Sequence, residues 1–421
     1  MAYFRLTGPM VRNLVRVPAE MILDHIRIVE LGSHIAAPAT AALLADWGAS
    51  VIKVEQHDGD PIRWQFPAPD RDVGSAVFEM DNRGKRSIAL DYRHPDGRAV
   101  LEALIAQADV FITNRLPGSL KRAGLDYETI HARFPALVYT SITGYGLQGP
   151  AADVGSFDIQ AFWSRSGLGG AMWPDGVEHL SWRPGVGDHI AALAAALGTA
   201  VALIDRARTG EGRLVDSSLL RAGTYAGGFD LAEQLRNGEI MQTPTRQNGG
   251  NRPSSYYLTC DGQWICLWAK DQAEWRAIFT ALDRPDLCDD LRFAEAEALA
   301  DNAAAMTGIL ESVFVTLSSE EVARRFQAAG VTWAPVLRPH EVIADPWAQA
   351  AGCFVDVSDG HGGSYPAPAP PVRLAGGDAP KGPPPRVGEH SEAVLKELGY
   401  PPDEIARLIE QGVVGPFAPL R

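Results

Sequence analysis

The stretch Trp182-Arg183-Pro184-Gly185-Val186-Gly187-Asp188-His189 sets one carboxylate, Asp188, just ahead of an uncharged apolar run over residues 190–204. Pro and Gly precede the run, and Asp205-Arg206-Ala207-Arg208-Thr209-Gly210 follows it, so both ends of one helix are marked. A short acid at such a start has two uses. As an N-cap it accepts hydrogen bonds from the first free amides. As a nucleophile or base it is held on a glycine hinge at the positive end of the helix. Position alone favours the cap. His189 beside it reads as a structural histidine that has the option of assisting the acid.

Other chemistries lack their residues. The chain has no Walker A loop, no H-E-x-x-H helix, no Cys/His cluster and no G-x-S-x-G elbow, so the sequence offers no metal site and no serine nucleophile. Cys260, Cys266, Cys288 and Cys353 lie far apart and read as reduced thiols of a cytoplasmic protein. Gly144-Tyr145-Gly146-Leu147-Gln148-Gly149 matches G-x-G-x-x-G in form only. Pro150 follows at once and no helical pattern opens there, so it reads as a substrate-facing loop.

Basic and polar side chains recur at the carboxyl ends of the expected strands: Lys53, Lys85, Arg86, Arg93, Asn114, Arg115 and Arg122. Open α/β sheets bind ligands at those ends. Each residue alone is a solvated charge; together they point to an anionic ligand that bears phosphate. The net charge of −14 excludes a nucleic-acid binder while leaving room for a local basic pocket.

The elements that must position these residues alternate strand and helix. A strand at residues 26–31, a helix at 39–47 stopped by Gly48, and a strand at 50–55 make a βαβ unit. Strands follow at 87–91, 109–113, 137–142 and 212–217, with a helix at 219–235. Glu55 stands where dinucleotide folds keep a ribose-binding acid, but the first turn lacks their glycine fingerprint. A hairpin over 256–267 and helices at 272–281, 302–314 and 319–329 read as a smaller domain. The prolines of 366–385 read as an extended strap, and helices at 391–398 and 403–410 as a tail that packs back on the first domain. The expected fold is α/β: a Rossmann-like, doubly wound large domain completed by the C-terminal segment, plus a smaller α+β domain. Its parts are an arm over 1–22, the large domain over 23–225, the small one over 226–340 and the returning segment over 341–421. The apolar run 190–204 is shorter than the ~20 residues of a bilayer span and is expected to be a buried core helix, with no membrane partner.

Several stretches together resemble the family III CoA-transferases and the related α-methylacyl-CoA racemases. They are Ile28-Val29-Glu30-Leu31, Leu44-Ala45-Asp46-Trp47-Gly48-Ala49-Ser50-Val51-Ile52-Lys53-Val54-Glu55, Asn82-Arg83-Gly84-Lys85-Arg86-Ser87-Ile88, Ile142-Thr143-Gly144-Tyr145-Gly146 and the closing Leu398-Gly399-Tyr400. The resemblance implies that Asp188 is the nucleophile and that Asn248-Gly249-Gly250-Asn251 is a glycine loop closing over the thioester, with Gly249 and Gly250 part of the catalytic machinery. It implies that His34, Ile35, Ala37, Leu90, Arg93, Asn114, Arg115 and Arg122 lie along coenzyme A. Gln56 stands where the family often has a basic residue. The racemases carry a His directly before the Asp of a Gly-His-Asp-Ile segment, whereas this chain reads Gly155-Ser156-Phe157-Asp158-Ile159. With Phe157 in that place a second base is missing, which favours transfer over racemisation.

The function implied by the resemblance is transfer of CoA from an acyl-CoA to a free carboxylic acid through an aspartyl-CoA thioester. Coenzyme A enters as substrate, with no tightly bound cofactor, and the protein is a cytoplasmic, interlocked homodimer. An acyl-CoA isomerase or racemase on the same scaffold and a CoA-binding protein without turnover remain as alternatives.

Overall fold

The computed structural model describes residues 21–66, 75–174, 178, 181–238, 255–374 and 382–415. The chain divides into two compact units, one made of Met1–Leu168, Trp182–Gly228 and Gly352–Arg421, the other of Gly169–Ser181 and Phe229–Ala351.

The first unit is built on six parallel strands: β1 (Arg27–Leu31), β2 (Ser50–Glu55), β3 (Arg86–Ala89), β4 (Val110–Thr113), β5 (Val138–Thr143) and β6 (Leu214–Ser218). Their order is β3-β2-β1-β4-β5-β6, the doubly wound arrangement expected from the sequence. β1, β4 and β5 are short, mostly β-branched or aromatic and almost wholly buried, as strands covered on both faces must be. One face packs Ile28, Ile112, Val138 and Ile142 against the first helix (Ala36–Asp46) and the central helix (Val186–Thr209). The other packs Val29, Phe111 and Tyr139 against the helix Pro95–Ala106 and the C-terminal helices Ser391–Glu397 and Pro402–Glu410.

The returning segment closes the β3 edge. Leu90 bridges to Val414, the Ala89 N–H donates to Ser391 Oγ at 3.2 Å, and the Gly415 N–H donates to the Ala89 carbonyl at 2.8 Å. An exposed edge strand is thereby given partners. The proline stretch starts differently from the expected strap. Its first residues lie in β11 (Ser364–Pro368), which pairs antiparallel with β10 (Phe354–Ser358).

The central helix runs longer than the apolar run, with Gly185 before it and Gly210 after it, both in the left-handed conformation. The expectation of a buried core helix is corrected in part: one face is buried and the other is not. The buried face is Ala191, Ala192, Ala195, Ala196, Thr199 and Ala202, whose small side chains let the helix lie close to the sheet. The large aliphatics Leu193, Leu197, Val201 and Ile204 point outward, Leu197 and Ile204 with 67% and 71% of their surface exposed. By length and composition this helix would suffice to cross a membrane, but it packs on the first helix, β5 and β6. The helix expected over 219–235 is two, Leu219–Ala226 and Gly228–Asn237, broken at the glycine pair where backbone entropy disfavours continuation.

The second unit has a three-stranded antiparallel sheet, β7 (Ser255–Leu258), β8 (Trp264–Leu267) and β9 (Trp333–Pro335), in the order β7-β8-β9. Its core is aromatic, with Tyr257 stacked on Phe314 at 4.7 Å and Trp275, Phe279 and Phe326 packed around them.

Candidate active site

The strand order reverses between β1 and β4, and loops leaving the carboxyl ends of such a pair diverge to leave a crevice. A cleft of about 720 Å³ lies there, with Ser33, His34, Ile35, Asn114, Phe157, Asp158 and Asp188 in its walls. Asn114 joins the two loops: its Oδ1 accepts from the Ser33 N–H at 3.0 Å and its Nδ2 donates to the Ser33 carbonyl at 2.7 Å. His34 follows with φ of 63°, a left-handed conformation uncommon outside glycine, and its N–H donates to Asp60 Oδ1 at 3.0 Å. A strained residue held by a buried acid beside a cleft is the kind found at ligand sites.

The start of the central helix forms another wall. Gly185 takes φ of 85° and turns the chain into the helix. Gly187 is required by close approach, since a Cβ there would stand 2.4 Å from the Phe162 ring. The Gly187 N–H donates to Asp158 Oδ2 at 3.0 Å. The cap is thus supplied by Asp158, from the loop that enters the π-helical turn Ile159–Ser164, and the expectation that Asp188 caps is corrected. Asp188 is the third helical residue, half-buried, and lines the cleft.

The electrostatics of this helix start are those of crowded acids. Burial, reinforced by the charges of Asp158 and Asp81 and opposed by His189, pushes the Asp188 carboxyl up to about 7. Burial also raises Asp158, against the backbone amides of Gly187 and Gly185. His189 Nε2 lies 3.1 Å from Asp81 Oδ1, on the helix Ala76–Asn82. Burial works against its charged form, yet Asp81 and Asp188 together raise it above the usual imidazole range. His189 therefore sits beside Asp188 with its charged form favoured by a second acid.

The strand-end cations divide sharply. Lys53 and Lys85 are fully buried and bind Glu30 at 2.7 and 2.6 Å, Lys53 also reaching Asp60 at 2.9 Å. Burial, with Lys53 nearby, lowers Lys85 to about 8. Arg86 pairs with Glu397 at 2.6 Å. Lys53 and Lys85 hold the fold together and Arg86 is occupied in a half-exposed surface pair, so the reading of the three as phosphate contacts is corrected. Glu55 is likewise structural, bound to Arg63 at 2.6 Å and to Ser87 Oγ at 2.7 Å. Arg93 is exposed and paired with Asp91 at 2.8 Å, and Arg122 is exposed on the helix Pro117–Ala123. Arg115 is half-buried beyond β4, with an Nε that is buried and unpartnered. Ile35 lines the cleft, whereas Ala37 and Leu90 have fully buried side chains in the two cores beside it. Gly249 and Gly250 lie outside the described residues.

Sequence reasoning missed Asp60 and Asp81 as members of the site. Asp81 meets His189 across 108 residues, and no local pattern reports such a contact. Asp158 was legible only as the neighbour of Phe157. Among the described residues no group of His, Cys, Asp and Glu is arranged to hold a metal ion.

Residues 23–391 match the model of CoA-transferase family III. The chain belongs to this family. Family III relatives include a cinnamoyl-CoA:phenyllactate CoA-transferase of Clostridium sporogenes, 32% identical over 91% of this chain and 95% of the relative. A succinate–glutarate CoA-transferase of Agrobacterium fabrum is 31% identical over 89% and 95%. Among solved structures, a CaiB/BaiF family protein from Brucella suis is 31% identical, covers 90% of this chain and all of its own, and superposes with a TM-score of 0.79. The family III match establishes a CoA-transferase, an enzyme that acts on CoA thioesters, and agrees with the doubly wound sheet.

Proposed function

We propose that the protein moves CoA from an acyl-CoA to a free carboxylate by way of a covalent adduct on Asp188. The observation that supports this most is the position of Asp188, a cleft-lining carboxylate in the first turn of a long helix whose capping duty is discharged by Asp158. Freed from capping, its oxygens are available to a substrate.

The Asp188 carboxylate attacks the thioester carbonyl, forming a mixed anhydride and releasing CoA thiolate. The thiolate attacks the Asp188 carbonyl, giving the aspartyl-CoA thioester and the first free acid. An acceptor carboxylate attacks that thioester, again forming an anhydride and releasing thiolate. Attack of the thiolate on the acceptor's acyl carbon then yields the new acyl-CoA and restores Asp188. Over the whole cycle one acyl-CoA thioester is broken and another of similar energy is formed, so no ATP is consumed. The helix start and the amides of Gly249 and Gly250 are proposed as the stabilisers of the oxyanions. His34, Ile35 and Asn114, with the backbone around Ala37 and Leu90 and the cations Arg93, Arg115 and Arg122, are proposed to bind coenzyme A.

Phe157 stands in the cleft wall, its ring centroid 5.5 Å from that of His34 in a T-shaped arrangement, and offers no base, which supports transfer over racemisation. The outward row Leu193, Leu197, Val201 and Ile204 supports a homodimer that covers it. The location is proposed as cytoplasmic, from four free thiols. The test is exchange of a labelled carboxylate into a panel of acyl-CoAs. Transfer that is lost in Asp188→Ala supports the proposal; full transfer by that variant overturns it, and α-carbon deuterium exchange without transfer would show a racemase instead.

A further inference from the structure

The walls of the Asp188 cleft carry an uneven chemistry. Ile62, Phe66, Leu116, Val154, Phe157 and Leu219 line it, and Phe66, Val154 and Phe157 leave 57%, 50% and 55% of their surface uncovered. Among the described residues in the lining, the charged groups are the acids Asp158 and Asp188, and the one basic side chain is His34. No Lys or Arg is among them. Lys53 and Lys85, at neighbouring strands of the same sheet, are spent on Glu30 and Asp60 and have no exposed side-chain surface.

We infer that the acids exchanged at this site are monocarboxylic, with an apolar body, and that a second carboxylate on the acyl chain is rejected. This rests on the CoA-transfer reading. A thioester carbonyl within reach of Asp188 puts the first carbons of its acyl chain inside the cleft, against apolar side chains that gain by being covered. A carboxylate at the far end of a short chain would be taken from water into that same enclosure. Among the described lining residues it would meet no guanidinium or ammonium and would face two acids, a burial that is costly without a partner. Specificity of this kind comes from the unpaired charge it imposes on the wrong substrate.

The experiment measures binding of coenzyme A, hexanoyl-CoA and glutaryl-CoA to the intact protein by titration calorimetry at pH 8, thioesters of similar length that end in a methyl and a carboxylate. The expected result is hexanoyl-CoA tighter than glutaryl-CoA by about tenfold or more, equivalent to ~1.4 kcal/mol. In Phe157→Arg, which sets a cation on the cleft wall at an exposed position, the preference is expected to narrow or reverse. Glutaryl-CoA binding as tightly as hexanoyl-CoA to the unaltered protein overturns the substrate class and leaves CoA transfer standing. Absence of saturable binding by coenzyme A and both thioesters overturns the transfer reading, and the substrate class with it.

Discussion

Two clusters of charge lie at the carboxyl ends of the same sheet, and they are built on opposite rules. Glu30, Lys53, Asp60 and Lys85 alternate in sign, are buried, and satisfy one another at 2.6–2.9 Å. Asp81, Asp158 and Asp188 share a sign, are offset by one imidazole, and leave Asp188 facing a cleft. The first cluster holds its acids and Lys53 charged: Glu30 and Asp60 are lowered by the lysines despite burial, Lys53 is raised by Asp60 and Glu30 against its own burial, and Lys85, lowered to about 8, is the exception. The second holds a carboxyl near 7, where small changes decide its charge. Full pairing makes scaffold; incomplete pairing makes a group available for chemistry.

The largest effect should come from the acid facing the cleft. Asp188→Asn should lower transfer by about 10³-fold or more while leaving the fold intact, read by steady-state exchange and circular dichroism. Its stability has a definite sign. Asp188 has a raised value in the folded protein, so the native state holds its proton more tightly, and native stability falls as pH rises from the ordinary 3.8 through about 7. Asp188→Asn should therefore be more stable than the parent at pH 8, by roughly 1 kcal/mol, and gain nothing at pH 4, measured by urea denaturation.

Breaking the satisfied cluster should do the reverse. Lys53→Met leaves Glu30 and Asp60 without their shared cation and should cost about 3–5 kcal/mol of folding stability. Because Asp60 also holds the His34 N–H, any folded protein recovered should bind coenzyme A more weakly.

A subtler probe moves the charges around Asp188. The groups facing it are Asp158 and Asp81, which raise it, and His189, which lowers it. Transfer should climb with pH along a limb centred near 7 in the parent. His189→Asn removes the group that lowers Asp188 and should move that limb upward by about half a unit to one unit. Asp158→Asn removes a like charge, keeps an oxygen for the Gly187 amide, and should move it downward by a similar amount. The smallest effect belongs to the surface: Arg86→Ala breaks a half-exposed pair with Glu397 and should cost under about 1 kcal/mol.

Much of the frame was legible because it is local. The periodic runs around Ile28, Val51, Phe111 and Val138 each report a strand, and Gly185 and Gly210 mark the ends of the central helix. What the sequence could not report is which charges meet. Lys53, Lys85 and Arg115 look alike at strand ends, and only the fold shows the first two buried among acids while the Arg115 Nε is left unpartnered. The cap on the central helix went the same way, since the acid that takes the Gly187 amide is Asp158, 29 residues away, and not the acid within the local stretch. The sequence shows residues 190–204 only as one apolar run of small and large residues. The sorting of the small ones onto one face, with the large aliphatics on the other, becomes meaningful only once the sheet is placed.

The central claim, that Asp188 carries CoA, is tested most directly by trapping. The protein is incubated with an acyl-CoA substrate, treated with hydroxylamine, digested and analysed by peptide mass spectrometry. Attack of hydroxylamine on an aspartyl-CoA thioester releases CoA and leaves a hydroxamate on the aspartate. A hydroxamate on Asp188, formed only when acyl-CoA is present, is the expected result. An unmodified Asp188 in protein that is turning over substrate, or a hydroxamate on Asp158 instead, would contradict it.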